Sequence, residues 1–340
     1  MPQTITPAAL TDLLDQVFLR AGLSSPHAAA VARVISAGER DGCKSHGVYR
    51  VDLCLRTLRA GKVVPDACPN VCAGDSAIVQ VDAGGGFAPL AFETGLPALV
   101  AAARVNGLAA MALTNCVHFS ALWPEVEAIT AEGLAGLVMC PSYATVAPAG
   151  GTLPLLGTNP LAFGWPRPSS EPYVFDFATS VAARGEIELL RIAGKTLPEG
   201  WAVDAAGLPT TDPASALAGA MLPFGLHKGS AISTMIELLA GVMLGDLTSS
   251  GALEAVGTTN FAPRHGELIL AFDPAHFDPT GTALAQGEVL LDAIKAQGAR
   301  LPSQRRYTAR MRAMTHGIEL SDEEFGRLIL LRDGHPDSEV

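Results

Sequence analysis

The chain has 340 residues, of which 49% are hydrophobic and 17% charged, with a formal net charge of −11. That composition excludes a disordered chain, and the acidic balance argues against nucleic acid or an anionic membrane as partner, since either needs a basic face. So low a charged fraction points to apolar surface buried between copies, and a homodimer is the expected assembly.

No window supplies the roughly 18 uninterrupted apolar residues of a membrane span. The opening Met1-Pro2-Gln3-Thr4 lacks the basic start and apolar run of a signal peptide, so the expected location is cytoplasmic. Cysteines stand at 43, 54, 68, 72, 116 and 140. Cys68 and Cys72 have three residues between them and no second pair follows at zinc-site spacing, so they read as free, mostly buried thiols and no metal site is expected.

In chain order, Thr6-Pro7 starts a helix whose apolar stripe is Leu10, Leu13, Leu14, Val17 and Phe18, ended by Gly22. Ser25-Pro26 opens a second helix running to Asp41-Gly42, which leaves His46 in a loop just beyond a helix end. Val48 to Leu58 reads as a third helix. Short strands then alternate with small-residue helices: strand Ala77 to Val81, helix Leu90 to Val105, strand Leu108 to Leu113, helix Pro124 to Glu132, strand Leu134 to Met139. Strands near Leu161–Phe163 and Tyr173–Phe177 follow. Gly84-Gly85-Gly86 lacks the spacing of the dinucleotide fingerprint, so a Rossmann assignment is unsupported. Residues 200–213 read as loop, and Gly229 to Leu244, apolar nearly all round, as a helix in mid-core. His227 and Lys228 precede it. A late strand covers Glu267 to Phe272, and the chain closes with helices around Glu288 to Lys295, after Ser303, and after a Ser321–Glu324 capping box.

These elements describe an α/β protein with a helical layer built from both chain ends. The expected division is a helical domain of residues 1–71 plus 285–340 and an α/β domain of residues 72–284.

Polar residues that suit a cleft recur at the junctions: Ser45-His46-Gly47 with Arg50, His118-Phe119, Gly157-Thr158-Asn159-Pro160, Asp176 with Ala178-Thr179-Ser180, Trp201…Asp204…Gly207, and His227-Lys228-Gly229. In this order they resemble the type-2 malate/L-lactate dehydrogenase family. That resemblance implies a non-Rossmann oxidoreductase fold with a largely antiparallel central sheet, a nicotinamide cofactor and a homodimer. Leu122-Trp123-Pro124, Leu222-Pro223-Phe224-Gly225 and Arg300-Leu301-Pro302…Arg305-Arg306-Tyr307 are most similar to its branch of Δ1-piperideine-2-carboxylate/Δ1-pyrroline-2-carboxylate reductases. Glu186 is a further sign, because the hydroxy-acid branch typically has lysine there.

What the resemblance implies is reduction of a cyclic imino acid at its C=N bond by NADPH, with NADH also open. Arg50 would grip the substrate carboxylate, with His118 and Thr158 lining the same pocket. Ser45, His46 and Glu186 would form a catalytic relay, with His46 as proton donor or orienter. The cofactor contacts would be His118, Phe119, Ser120, Ala121 and Leu122; Asp176, Phe177 and Ala178; His227 and Lys228; and Arg300, Leu301, Pro302, Ser303, Gln304, Arg305 and Arg306. Lys228, Arg305 and Arg306 would supply charge for a phosphorylated dinucleotide, unless the arginines pair with Glu323 or Glu324. Two rivals stand beside this reading: a 2-oxo-acid reductase on the same fold, and a silent ligand-binding dimer.

Overall fold

The computed structural model describes residues 3–334; Met1, Pro2 and residues 335–340, which the sequence reading places in the cytoplasmic start and the helical domain, lie outside the described residues. The helical layer forms where the capping signals put it. Thr6 Oγ1 accepts the N–H of Ala9 (3.2 Å) at the start of the helix Pro7–Arg20, and Leu10, Leu14, Val17 and Phe18 are buried. The helix Ser25–Arg40 packs beside it, and the capping box of Ser321 and Glu324 opens the helix Asp322–Asp333. Leu328 and Leu331 from that last helix enter the same core cluster as Leu10 and Phe18. Each such side chain contributes roughly 1.5–3 kcal/mol by leaving water, which ties the two chain ends together. The strand Gln3–Ile5 pairs antiparallel with Ile318–Leu320 and completes that union.

The body is a seven-stranded mixed sheet in the order Asn70–Cys72, Ile78–Asp82, Leu108–Val117, Arg264–Phe272, Ala135–Met139, Leu161–Trp165, Tyr173–Phe177. Its pairings are antiparallel except that Ile78–Asp82 runs parallel to Leu108–Val117, its neighbour after the crossover helix Ala88–Asn106. A parallel neighbour requires such a crossover, whereas the antiparallel pairs need only turns. The pairing of Leu108–Val117 with Arg264–Phe272 slips between His265 and Glu267, opposite Thr114 and Asn115. Asn115 takes a positive φ of 55° there and donates its N–H to Asp246 Oδ2 (2.6 Å). Such a bulge redirects side chains near a site.

Two segments differ from the sequence reading. The expected core helix is a helix His227–Ile236 continued as a wider turn of helix over Glu237–Val242. One side packs Ile236 and Ala240 on Met139 and Leu268, but Met235, Leu238, Val242 and Met243 are exposed. An all-round apolar pattern describes a helix covered on every side; within one chain only half of this one is covered. Residues 200–213, expected to be loop, contain the strands Ala202–Val203 and Pro209–Thr210, which join Ala220–Met221 in a small sheet. Asp204 Oδ1 accepts the N–H groups of Ala206 and Leu208 and makes the hairpin. All six cysteines are free, but Cys68 and Cys72 are exposed. No helix among the described residues is long and apolar enough to cross a membrane.

Candidate active site

A cavity of about 1580 Å³ opens between the helical layer and the sheet, with Ser45, His46, Arg50, His118, Thr158 and Glu186 in its wall. Residues 44–46 make one short helical turn after the helix Ser25–Arg40. Buried Glu39 fixes that turn: its carboxylate pairs with Lys44 and accepts the N–H of Val48 (2.9 Å). Gly38 and Gly47 are required, because a Cβ at Gly38 would strike the His46 carbonyl and one at Gly47 the Glu39 carboxylate. His46 Nδ1 and Ser45 Oγ are 3.0 Å apart, and Arg50 Nη2 lies 3.5 Å from His46 Nε2. Burial, and then the nearby Arg50 charge, push His46 down to about 3, so its imidazole is neutral at physiological pH. Burial also lowers Arg50, whose Nε has no hydrogen-bond partner and which pairs with no carboxylate among the described residues.

Asp176, on the strand Tyr173–Phe177, organises the segment 118–123. Its Oδ2 accepts the N–H groups of Leu122 (2.8 Å) and Trp123 (3.0 Å), capping the helix Trp123–Ala131. Burial pushes Asp176 up to about 6 against those two hydrogen bonds and the charge of Arg306. Trp123 presents its ring edge to His46 with centroids 6.1 Å apart, and Phe119 packs edge-on against Phe87. Ser120 Oγ, in the cavity wall, is buried without a partner. Thr158 is held by its neighbour Asn159, whose Nδ2 donates to Glu237 Oε1 (2.8 Å) and Ser233 Oγ (2.9 Å) and whose Oδ1 accepts from Ser249 Oγ (3.0 Å).

The structure distributes the other expected contacts unevenly. Phe119, Ala121, Phe177, Ala178, Ser303, Arg305 and Arg306 line the main cavity, while Leu122 lies behind the wall. Arg300, Gln304 and Arg305 line a second hollow of about 640 Å³ with Glu171 and Tyr307. Leu301 is buried and Pro302 exposed. Arg306 is spent inside the protein. It pairs with Asp41 (3.2 Å) and Glu127, not with Glu323 or Glu324, and covers the Trp123 ring at 5.2 Å. His227 and Lys228 are exposed at the start of their helix and line neither hollow. Glu186 stands exposed on the helix Arg184–Ile192, bonded to neither Ser45 nor His46.

Sequence reasoning missed the layer behind this wall: Asp41 and Glu127 holding Arg306, Trp123 against His46, and a buried group of Glu125, Cys140, His265 and Glu267 around His118. The available signal was His265 and Glu267 two apart at the polar start of a strand that is apolar thereafter, since residues two apart share one face of a strand.

The family described as malate/L-lactate dehydrogenase matches residues 5–329. This chain belongs to that family. It is 63% identical over 328 residues to the Δ1-pyrroline-2-carboxylate reductase of Agrobacterium fabrum, covering 96% of this chain and 95% of the relative. It is 51% identical over 322 residues to the Δ1-pyrroline-2-carboxylate/Δ1-piperideine-2-carboxylate reductase of Pseudomonas aeruginosa, covering 94% and 96%. The crystal structure of Δ1-piperideine-2-carboxylate reductase from Pseudomonas syringae superposes with a TM-score of 0.93 at 40% identity, covering 97% of this chain and 99% of that one.

Membership of the malate/L-lactate dehydrogenase family implies a nicotinamide cofactor, and the residues fit one. A cavity of this size exceeds the usual 300–1,000 Å³ or so of a small-ligand pocket, and leaves room for a dinucleotide beside a small acid. The orphaned hydroxyl of Ser120 offers a polar partner on that wall.

Proposed function

We propose that this chain reduces cyclic imino acids with a five- or six-membered ring, Δ1-pyrroline-2-carboxylate and Δ1-piperideine-2-carboxylate, at the C=N bond to give proline and pipecolate. The observation that carries the reading is the unpaired Arg50 guanidinium beside the neutral imidazole of His46. A cation left without a counter-charge in a half-buried wall is a receptor for an anion. The substrate carboxylate supplies that anion and places the adjacent ring nitrogen at His46.

The reduced nicotinamide, when bound, supplies the hydride. The protein's own groups bind and orient. With Arg50 donating toward Nε2, His46 carries its hydrogen on Nδ1, directed to Ser45 Oγ, and keeps a lone pair on Nε2. Once Arg50 turns to the substrate carboxylate, that lone pair is free to accept the N–H of a ring that arrives as an iminium, so His46 acts first as an orienter. Neutralising Arg50 with the substrate carboxylate also relieves the repulsion that lowers His46. Glu186, exposed in the same cavity wall, is the third member of the relay in this reading.

The same reading assigns NADPH as cofactor, because exposed Arg305 beside Arg300 forms a positive site for a phosphate on an acidic protein. The non-Rossmann, largely antiparallel character of the fold and the two-domain division at residues 72 and 285 are part of the reading, supported by the pairing pattern of the sheet and by a helical-layer core drawn mostly from the two chain ends, which Phe87, Val117, Phe119 and Ala262 of the body join. A homodimer follows from the exposed Met235, Leu238, Val242 and Met243, which a second copy would cover. Nicotinamide oxidation with each imine and with pyruvate tests the proposal. Imine turnover with little on pyruvate supports it, and the reverse order assigns the chain to the 2-oxo-acid branch.

A further inference from the structure

His118 faces two ways: it lines the cavity, while its Nε2 is buried in the protein without a hydrogen-bond partner, 3.8 Å from Glu267 Oε2. Neither oxygen of Glu267 has a partner, and Oε2 of Glu125 is equally bare. All three residues are almost wholly buried, and their ligand atoms lie within 4.8 Å of one another. The strand slip between His265 and Glu267 builds this arrangement. It turns Glu267 inward beneath His118, at a place where Gly266 admits no side chain because a Cβ would lie 2.6 Å from the Ala240 carbonyl.

An ionised carboxylate with no donor in a dry pocket costs several kcal/mol, and two facing each other cost more. The groups around the pair do not relieve that cost. Glu125 comes from the helix Trp123–Ala131, Cys116 and Cys140 from the ends of two strands, and Asp176 from a third. His265 lies with its ring 5.7 Å from that of His118, and Asp246 and Glu237 lie behind it. Arg50 and His46 act from the cavity side and disfavour a charge on His118. The pocket therefore holds Glu125 and Glu267 un-ionised and the imidazoles of His118 and His265 neutral.

We propose that Glu267 is a positioning residue: a buried carboxylic acid, 3.8 Å from Nε2 of His118, that presents its O–H to that nitrogen and thereby favours the His118 tautomer with its hydrogen on Nδ1, offered to the cavity. A neutral donor there suits a carbonyl or carboxylate oxygen of whatever binds. The role rests on the reading of His118 as a pocket-lining residue. Burial pushes Glu267 up to about 8, and Glu125 is also raised by burial and by Glu267, so the acid form and its O–H persist through neutral pH and are lost as Glu267 ionises above it.

The test compares Glu267→Gln, whose amide N–H can replace the acid, with Glu267→Leu, which cannot donate. Imidazole 15N spectra of substrate-free protein read the tautomer of His118 directly. Wild type and Glu267→Gln should both show an unprotonated Nε2, and Glu267→Leu a mixture. Loss of that donor lowers kcat/KM about 2- to 13-fold in Glu267→Leu, whereas Glu267→Gln stays near wild type and lacks the alkaline fall that Glu267 ionisation gives. A protonated Nε2 in wild type would overturn the proposal, as would an unchanged tautomer and rate in folded Glu267→Leu. So would one equivalent of a divalent metal in purified protein that Glu267→Gln lacks, since His118, Glu125 and Glu267 are spaced to hold one. The spectra do not depend on which substrate is reduced, so a failed imine assay leaves this test intact.

Discussion

The guanidinium of Arg50 lies 3.5 Å from Nε2 of His46 and pairs with no carboxylate among the described residues. Beyond the burial that keeps the imidazole of His46 neutral, this cation disfavours its protonation further and waits for an anion. Replacing it with lysine keeps the charge but loses the planar fork. Arg50→Lys should lower kcat/KM about 10- to 100-fold, mainly through KM, as expected for 1.5–3 kcal/mol of charge-assisted hydrogen bonding. Steady-state kinetics with either imine checks this, and a change under twofold would count against the clamp.

His46 separates an orienter from a proton donor. Because it stays neutral down to about 3, the pH profile of kcat/KM should show no acid limb from His46 between about pH 5 and pH 8. His46→Asn should cost less than the roughly 10²–10⁴-fold typical of a lost general acid. A profile breaking near pH 6.5 in wild type and flat in His46→Asn would restore the donor role.

Asp176 links stability to pH. Its carboxyl is raised in the fold, from 3.8 to about 6, so the un-ionised form is favoured there. The sign follows: this group's contribution is greatest below about pH 4, declines as pH rises, and levels above about pH 6. Asp176→Asn keeps an oxygen for the Leu122 and Trp123 N–H groups and should not show that decline. Asp176→Ala loses the cap and should cost about 0.5–2 kcal/mol. Urea unfolding at several pH values reads both.

Asp41 behaves oppositely. Burial raises it, but hydrogen bonds from Arg310 and Arg40 outweigh that and hold it below the ordinary range. Its contribution is therefore present above the unfolded value of 3.8 and lost as pH falls through the lower folded value. Asp41→Asn leaves buried Arg306 and half-buried Arg310 with Glu127 as their nearest carboxylate, at a cost of about 3 kcal/mol. Because Arg306 covers Trp123 and Trp123 abuts His46, imine turnover should fall as well.

The sequence carried what local chemistry determines. Thr6 and the Ser321–Glu324 box mark helix starts by hydrogen bonds spanning three residues, and the apolar stripe of the first helix is its buried face. It also brought Ser45, His46, Arg50, His118 and Thr158 to one cavity, through resemblance. It could not carry pairings made by tertiary contact. Arg306 meets Asp41 across 265 positions, and Glu267 reaches His118 only because a strand slips by a residue. The exposed face of the helix His227–Ile236 was illegible for another reason: an apolar residue that its own chain covers and one that it leaves exposed look alike in sequence.

The central claim is most directly tested by following nicotinamide oxidation with Δ1-pyrroline-2-carboxylate, Δ1-piperideine-2-carboxylate and pyruvate, side by side, using wild type and Arg50→Lys. The account predicts rapid turnover of both imines by wild type, little on pyruvate, and a selective loss of imine turnover in Arg50→Lys. Preference for pyruvate, or imine turnover indifferent to Arg50, would contradict it.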